Sequence, residues 1–166
     1  MDIKDFYPSI TFNLVKKAVL FYQDQANLDP TKRRIIDLCL EMIEHSMRKQ
    51  FFTFHDKYYH YSGQHVMDSP SLTIGGYKSA WLADLTASYL FDATESHFIG
   101  MHYKGIYRDD GIVIYNSKLQ DESRAVAAWL KDFQDQVDAL CTNDMATRLP
   151  MCENLETTII TIPGAY

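Results

Sequence analysis

Apolar residues in the first part of the chain recur with the spacing of amphipathic helices. From Thr11 to about Asn27 they follow a helical period, at Leu14, Ala18, Phe21 and Tyr22. Asp29-Pro30 then predicts a second helix, because aspartate caps a helix N-terminus and proline suits its first turn. This helix is expected to end near Lys49 and to direct one apolar stripe inward, formed by Ile36, Cys39, Leu40, Ile43 and Met47.

Two later stretches repeat the helical pattern. A long apolar helix is expected over about 78–95. Asp121 then predicts the cap of a further helix, whose apolar positions share one face. Those inward positions are Val126, Trp129, Leu130, Phe133, Val137 and Leu140.

Shorter segments have the character of strands and turns. Met1 to Lys4 resembles the end of a strand, and FFTFHDKYYHY (51–61) predicts a small hairpin around His55-Asp56-Lys57. GIYRDDGIVIY (105–115) predicts a second hairpin, since Asp-Gly between apolar runs is a strong turn signal. The β-branched run TTIITI (157–162) predicts a last strand.

Taken in order, these elements predict an α+β fold in one domain spanning residues 1–166. A strand is followed by helices, a small hairpin, a helix, a β-hairpin, a helix and a strand. This order predicts an antiparallel sheet with helices packed on one face, close to the split β-α-β arrangement. No internal repeat or interdomain linker interrupts it.

Composition agrees with one globular domain and limits its setting. The chain has 166 residues, of which 46% are hydrophobic and 13% aromatic, enough for a substantial core. It has no apolar stretch of about 18 residues and no secretory signal, so we expect no membrane association. Cys39, Cys141 and Cys152 have no paired spacing, which favours core thiols and an intracellular protein, in the cytoplasm or nucleus.

The second hairpin raises a chemical question, because Asp109 and Asp110 are adjacent and repel each other. A turn needs one carboxylate at most. Side chains alternate along a strand, so Asp2 in the N-terminal strand could converge on the same spot if the two strands pair. Three carboxylates at a sheet edge suit Mg²⁺. Two such ions about 4 Å apart would form a clamp for phosphoryl or nucleotidyl transfer.

The two acidic motifs resemble those of a known enzyme family. DIKDFYPSI (2–10) and YRDDG (107–111) are similar to the first and third palm motifs of reverse transcriptases, of a mobile-element or retron and group II-like type. The first follows the family form D-I-K-x-F-[FY]-P-S-I, and the second is a Y-x-D-D sequence. The resemblance covers most of the chain and implies a polymerase palm fold.

The resemblance also implies an activity, RNA-directed DNA polymerisation from dNTPs. Asp2 and Asp109 would be the principal metal ligands, and Asp110 the accessory carboxylate. Tyr107 would support the primer end. The implied cofactors are two Mg²⁺ ions, with Mn²⁺ as a substitute, and the implied partners are an RNA template and a DNA or RNA primer.

Tyr7 carries a prediction about the sugar of the nucleotide. It follows Asp2 by five positions, where the sugar of an incoming nucleotide would lie. An aromatic ring there would fill the space that a ribose 2′-hydroxyl needs, so the product is expected to be DNA. Phe6 is expected to point into the core, by strand alternation. An ordinary packed ring is the alternative for Tyr7.

The family's glycine-containing second motif has two possible registers. One is GQHVMDSPSL (63–72), which lacks the usual Gln-Gly pair. The other, LTIGGYKSAWLADL (72–85), is favoured because Gly75-Gly76 stands before the long helix, where backbone can approach a nucleotide. Gly76 and Tyr77 are then candidate nucleotide contacts, and Lys78 a phosphate contact. A simple turn is the alternative reading of the glycines.

Two departures from the family shape the expectation for this chain. The basic fingers region that precedes the first motif is missing, and no thumb is evident after the last strand. Their loss accounts for a net charge of −6, unusual for a nucleic-acid binder. The chain is therefore expected to be a palm fragment, inactive by itself. The alternative is a catalytically inactive palm remnant that serves as a folded or binding module; an RNA-templated RNA polymerase is disfavoured by Tyr7.

Overall fold

The computed structural model describes residues 2–3, 6–61, 69–98, 101, 103–107, 110–114, 122–142 and 155–156. These residues form an α+β fold with five α-helices and two antiparallel sheets. The helices are α1 (Phe6–Ser9), α2 (Phe12–Gln25), α3 (Pro30–Arg48), α4 (Ser79–Ala93) and α5 (Glu122–Thr142). The strands are β1 (Asp2–Ile3), β2 (Gln50–Phe54), β3 (Lys57–Tyr61), β4 (Tyr103–Tyr107), β5 (Asp110–Ile114) and β6 (Leu155–Glu156).

The larger sheet has the strand order β4-β5-β1-β6, and each neighbouring pair is antiparallel. Strands β1 and β4 therefore run parallel with β5 between them. Helices α1 to α4 connect β1 to β4, and α5 connects β5 to β6. This is the split β-α-β arrangement, with α3 and the β2–β3 hairpin inserted into the first crossover.

The helix starts predicted near Thr11 and at Asp29 are confirmed by their caps. The Thr11 hydroxyl accepts a hydrogen bond from the Leu14 amide at 3.3 Å, and the Asp29 carboxylate accepts one from the Lys32 amide at 3.0 Å. Pro30 occupies the first turn of α3, where its missing N–H leaves no bond unmade. Local sequence is therefore sufficient to start α2 and α3.

The core lies between the helices and one face of the larger sheet. Leu14, Val15 and Ala18 of α2 pack with Ala83, Ala87 and Leu90 of α4, all nearly inaccessible to solvent. A cluster of four aromatic rings, Phe91, Phe98, Trp129 and Phe133, joins α4 to α5. The predicted inward direction of Phe133 and Val137 is confirmed, since both are buried.

The two faces of the β4–β5 hairpin differ in their surroundings. Ile106 and Val113 pack against the core, whereas Tyr103, Tyr107, Ile112 and Ile114 on the opposite face are exposed. Within the described part of the chain, helices therefore cover only one face of this hairpin, as the sequence predicted. The other face presents apolar and aromatic groups to solvent.

The smaller hairpin is confirmed, with Phe54 opposite Lys57 across a turn formed by His55 and Asp56. The two turn residues have positive φ angles of 48° and 56°, the backbone that a tight two-residue hairpin turn requires. Rings on both faces of this hairpin are exposed, among them Phe51, Phe52 and Tyr58. The hairpin projects from the core.

The expectations for Cys39, for the turn of the second hairpin and for the last strand need correction or lie outside the described residues. Cys39 is exposed and not a core thiol, because it sits about 100° around the helix from Leu40, which is buried. Asp110 and Gly111 are not the turn but the first residues of β5. The predicted strand over 157–162 falls outside the described residues.

The shift of the turn has a packing reason. Tyr107 is paired with Asp110 and Ile106 with Gly111, so Asp110 and Gly111 belong to the paired part of the hairpin. In this register Ile106 and Val113 both pack against the core. A slip by one residue would move one strand's apolar side chain to the opposite face.

No helix in the described residues is long and apolar enough to span a bilayer.

Candidate active site

Strand β1 brings the first acidic motif (2–10) next to the second acidic motif (107–111). Asp2 is the register partner of Asp110 in the antiparallel β1–β5 pair. Directly opposite residues in such a pair have Cα atoms about 4.5–5.5 Å apart. The two motifs, far apart in sequence, are thus adjacent in the sheet.

Asp109 and Arg108 lie outside the described residues. Asp110 is exposed at the start of β5. Among the described residues no three His, Cys, Asp or Glu side chains gather into a metal-binding group. The convergence of Asp2, Asp109 and Asp110 on one spot stays a prediction.

Tyr107 stands opposite Asp110 on β4, and 68% of its surface is exposed. It therefore shares a face of the hairpin with the Asp110 carboxylate. Tyr103, four residues before Tyr107 on β4, bends its ring over Gly105: a Cβ on Gly105 would lie 2.9 Å from the Tyr103 hydroxyl oxygen. The glycine allows this close approach, so an aromatic surface extends from the acidic end of β4 to its other end.

Sequence reasoning did not single out this surface as a whole. Tyr103, Ile112 and Ile114 are 55%, 55% and 46% exposed and lie on the same face as Tyr107. The period-2 alternation of β4 and β5 groups these positions. The alternation does not indicate which of the two faces of the hairpin the helices cover.

The first motif continues from β1 into α1, which positions Phe6 and Tyr7. Phe6 is buried, as predicted, but through a helical turn and not through strand alternation. Tyr7 is half-buried, and its ring meets that of Phe6 edge-on, with centroids 6.0 Å apart. The Phe6 ring therefore supports one side of Tyr7, while part of the Tyr7 surface is accessible to a ligand.

Residues at and just after the end of the first motif form hydrogen bonds with the end of the 63–72 segment. The Phe12 amide donates to the Pro70 carbonyl at 2.8 Å, and the Leu72 amide donates to the Ile10 carbonyl at 3.0 Å. Ser69 also accepts a hydrogen bond from the Asn13 amide. Residues 69–72 are buried beside the first motif, whereas 63–68, the glutamine-containing part of this register, lie outside the described residues.

Gly75 and Gly76 form the turn that leads into α4. Gly75 has a φ of 83°, a backbone that favours glycine. A Cβ on Gly76 would collide with the Ser79 hydroxyl, and the Gly76 carbonyl accepts a hydrogen bond from the Ser79 amide at 3.0 Å. Both glycines therefore have a structural role in starting α4; the nucleotide contact proposed for Gly76 stays a prediction.

Tyr77 and Lys78 follow this turn at the N-terminus of α4. Tyr77 is fully exposed, at 100%, so its ring is available to a ligand. Partial burial lowers the pKa of the Lys78 ammonium below its ordinary value, since desolvation disfavours the charged form. A phosphate near Lys78 would oppose that effect by stabilising the ammonium.

The described residues thus include an exposed carboxylate and an exposed ring on the β4–β5 hairpin, and an exposed ring and a partly buried ammonium at the start of α4. Comparison of the chain with protein families, with characterised proteins and with solved structures finds no match.

Proposed function

We propose that this chain is the palm of an RNA-directed DNA polymerase, which transfers a nucleotide from a dNTP to a primer 3′-hydroxyl. The observation that carries the proposal is the β1–β5 register, which puts Asp2 opposite Asp110. The two motifs that resemble reverse transcriptase motifs therefore meet across one pair of strands. A sequence resemblance alone did not require this pairing.

The donor chemistry fits the implied ions. Carboxylate oxygens are the hard ligands that Mg²⁺ prefers, and an exposed position such as that of Asp110 leaves room for its waters and for substrate phosphates. Asp2, Asp109 and Asp110 would hold the ions. When bound, two Mg²⁺ ions would activate the attacking hydroxyl and neutralise charge on the leaving pyrophosphate.

The remaining groups would position the substrates. Tyr107, beside Asp110 on the exposed face, would support the primer end. Tyr7 would lie against the sugar of the incoming dNTP and exclude a 2′-hydroxyl. Lys78 and Tyr77, exposed or half-exposed at the start of α4, would contact phosphate and base.

Thermal unfolding with Mg²⁺ tests the metal site directly. Ions that bind the folded carboxylates and not the unfolded chain raise the melting temperature. At roughly ten times the dissociation constant, the expected rise is about 3–6 °C for a domain of this size. The measurement compares melting with and without millimolar Mg²⁺ in the 166-residue chain.

The matched variants are Asp109→Asn and Asp37→Asn, the second an exposed carboxylate on α3. Asp109→Asn is expected to abolish the Mg²⁺-dependent rise, and Asp37→Asn to leave it unchanged. An equal rise in Asp109→Asn and the unmodified chain would show that the ions bind elsewhere, which contradicts the proposed site.

Sugar selection is expected to depend on Tyr7. In an active protein that joins this chain to fingers and thumb regions, Tyr7→Ala opens space beside the sugar and leaves the carboxylates in place. Ribonucleotide use should rise relative to deoxyribonucleotide by about tenfold or more, the effect of about 1.4 kcal/mol. The measurement is the ratio of kcat/KM for the two nucleotides, which compares transition-state binding.

Tyr58→Ala is the matched control, since Tyr58 is an exposed tyrosine on the β2–β3 hairpin. It is expected to leave the ratio unchanged. If Tyr7→Ala stays active with an unchanged ratio, Tyr7 is a packing residue and does not select the sugar.

A further inference from the structure

Helix α3 carries two apolar stripes, and only one of them is covered. Leu40 and Met47 are buried, and Ile36 and Ile43 pack beside them. On a second stripe Ile35, Leu38 and Met42 are 56%, 57% and 65% exposed. A helix that is apolar on two sides is normally packed on two sides.

The second stripe has the spacing of a helix-pairing seam. Ile35, Leu38 and Met42 are separated by three and then four residues, and Thr31 and His45 continue the alternation. Side chains repeating every 3.5 residues on average face a single partner helix along its length. The stripe is therefore suited to another helix.

The charged residues next to the seam indicate which helix packs against it. Four other charged residues of α3 have ion-pair partners within the chain: Lys32, Arg33, Glu44 and Arg48. Arg34 and Glu41, which stand one residue before Ile35 and Met42, have none among the described residues, and both are exposed. They carry opposite charge seven residues apart on the same side of the seam.

An antiparallel second copy of α3 satisfies both features. If Ile35 packs on Leu38 of the second copy, Thr31 packs on Met42 of the second copy. Arg34 of the first copy and Glu41 of the second copy then both lie between these two layers of packed side chains. Twofold symmetry repeats the contact, so two Arg34–Glu41 ion pairs flank the seam.

Other arrangements lack this match. Moving the antiparallel register by one heptad brings Leu38 onto Met42, and the two Glu41 carboxylates then face each other. In a parallel pair, Arg34 and Glu41 of one copy would face Cys39 and Ser46 of the other across the seam, and neither residue carries a charge. Opposed helix dipoles also favour the antiparallel direction.

We infer that two copies of this chain associate through the Ile35–Leu38–Met42 stripe of α3, antiparallel and held in register by Arg34–Glu41 pairs between copies. One helix pair is smaller than the standard interface of about 800 Å² per partner. The association is therefore expected to be reversible and dependent on protein concentration. It does not depend on catalysis, and failure of the polymerase proposal would leave it intact.

A charge-reversal cycle tests the register. Sedimentation equilibrium of the 166-residue chain should show a monomer–dimer equilibrium. Arg34→Glu and Glu41→Arg should each weaken dimerisation by about tenfold, because both symmetric pairs become repulsive. The double variant R34E/E41R should restore it to within about threefold of the unmodified chain, since coupled sites depart from additivity.

Asp37→Arg is the matched control, because it makes the same charge change as Glu41→Arg on the same helix, away from the seam. It should leave the association unchanged, and circular dichroism melts should show all variants folded. A chain that stays monomeric at high concentration would overturn the inference. So would a double variant as weakly associated as the single ones.

Discussion

Primer extension on an RNA template is expected to be lost when Asp2 is replaced by alanine, and equally when Asp109 is. Each change removes a ligand that the proposed ions share, and with it several kcal/mol of transition-state stabilisation. The expected loss in kcat/KM is about a thousandfold or more. The assay uses this chain joined to fingers and thumb regions, because the chain alone is expected to be inactive.

Asp37→Ala provides the comparison, since it removes an exposed carboxylate from α3 rather than from the sheet. It should extend primers at the rate of the unmodified protein. Melting temperatures of all three variants show whether lost activity comes from lost folding. Folded Asp2→Ala or Asp109→Ala proteins that retain extension would remove the two-metal proposal.

Phe133→Ala is expected to destabilise the domain by about 3–5 kcal/mol, the usual cost of deleting a buried ring. Phe133 is 4% exposed, and its ring stacks on Trp129 with centroids 5.4 Å apart. It also meets Phe98 edge-on at 5.6 Å. The deletion would leave a cavity where α5 joins α4, measured by chemical or thermal unfolding.

Phe52→Ala makes the same deletion on the exposed β2–β3 hairpin, where Phe52 stacks on Tyr59. Its expected cost is about 0.2–1 kcal/mol, that of one cross-strand pair. Equal losses in the two variants would mean that α5 is not anchored by the ring cluster.

Local chemistry explains why several elements were predictable. The Thr11 and Asp29 caps use only residues three positions away, and the β2–β3 turn needs only two residues with positive φ. These contacts form within a few residues of chain. Their signals are therefore complete in the sequence.

The predictions that were wrong failed for the opposite reason, because they depended on contacts between residues far apart in sequence. The Asp-Gly signal at 110–111 predicts a turn, but Ile106 and Val113 pack against the core in a register that makes Asp110 and Gly111 part of β5. Cys39 belongs to the helical period of α3, yet Leu40 and Met47 define which side is covered. In both cases packing against distant residues decided between locally acceptable alternatives.

By itself the sequence determined the four longer helices of this protein, its two hairpins and its acidic motifs, because caps, turns and apolar period are local. Only the tertiary structure decided that β1 lies beside β5 with Asp2 opposite Asp110. It also decided that the outer stripe of α3 and one face of β4–β5 stay open to solvent. Strand pairing and burial depend on contacts between residues far apart in sequence, which periodicity within a short window does not encode.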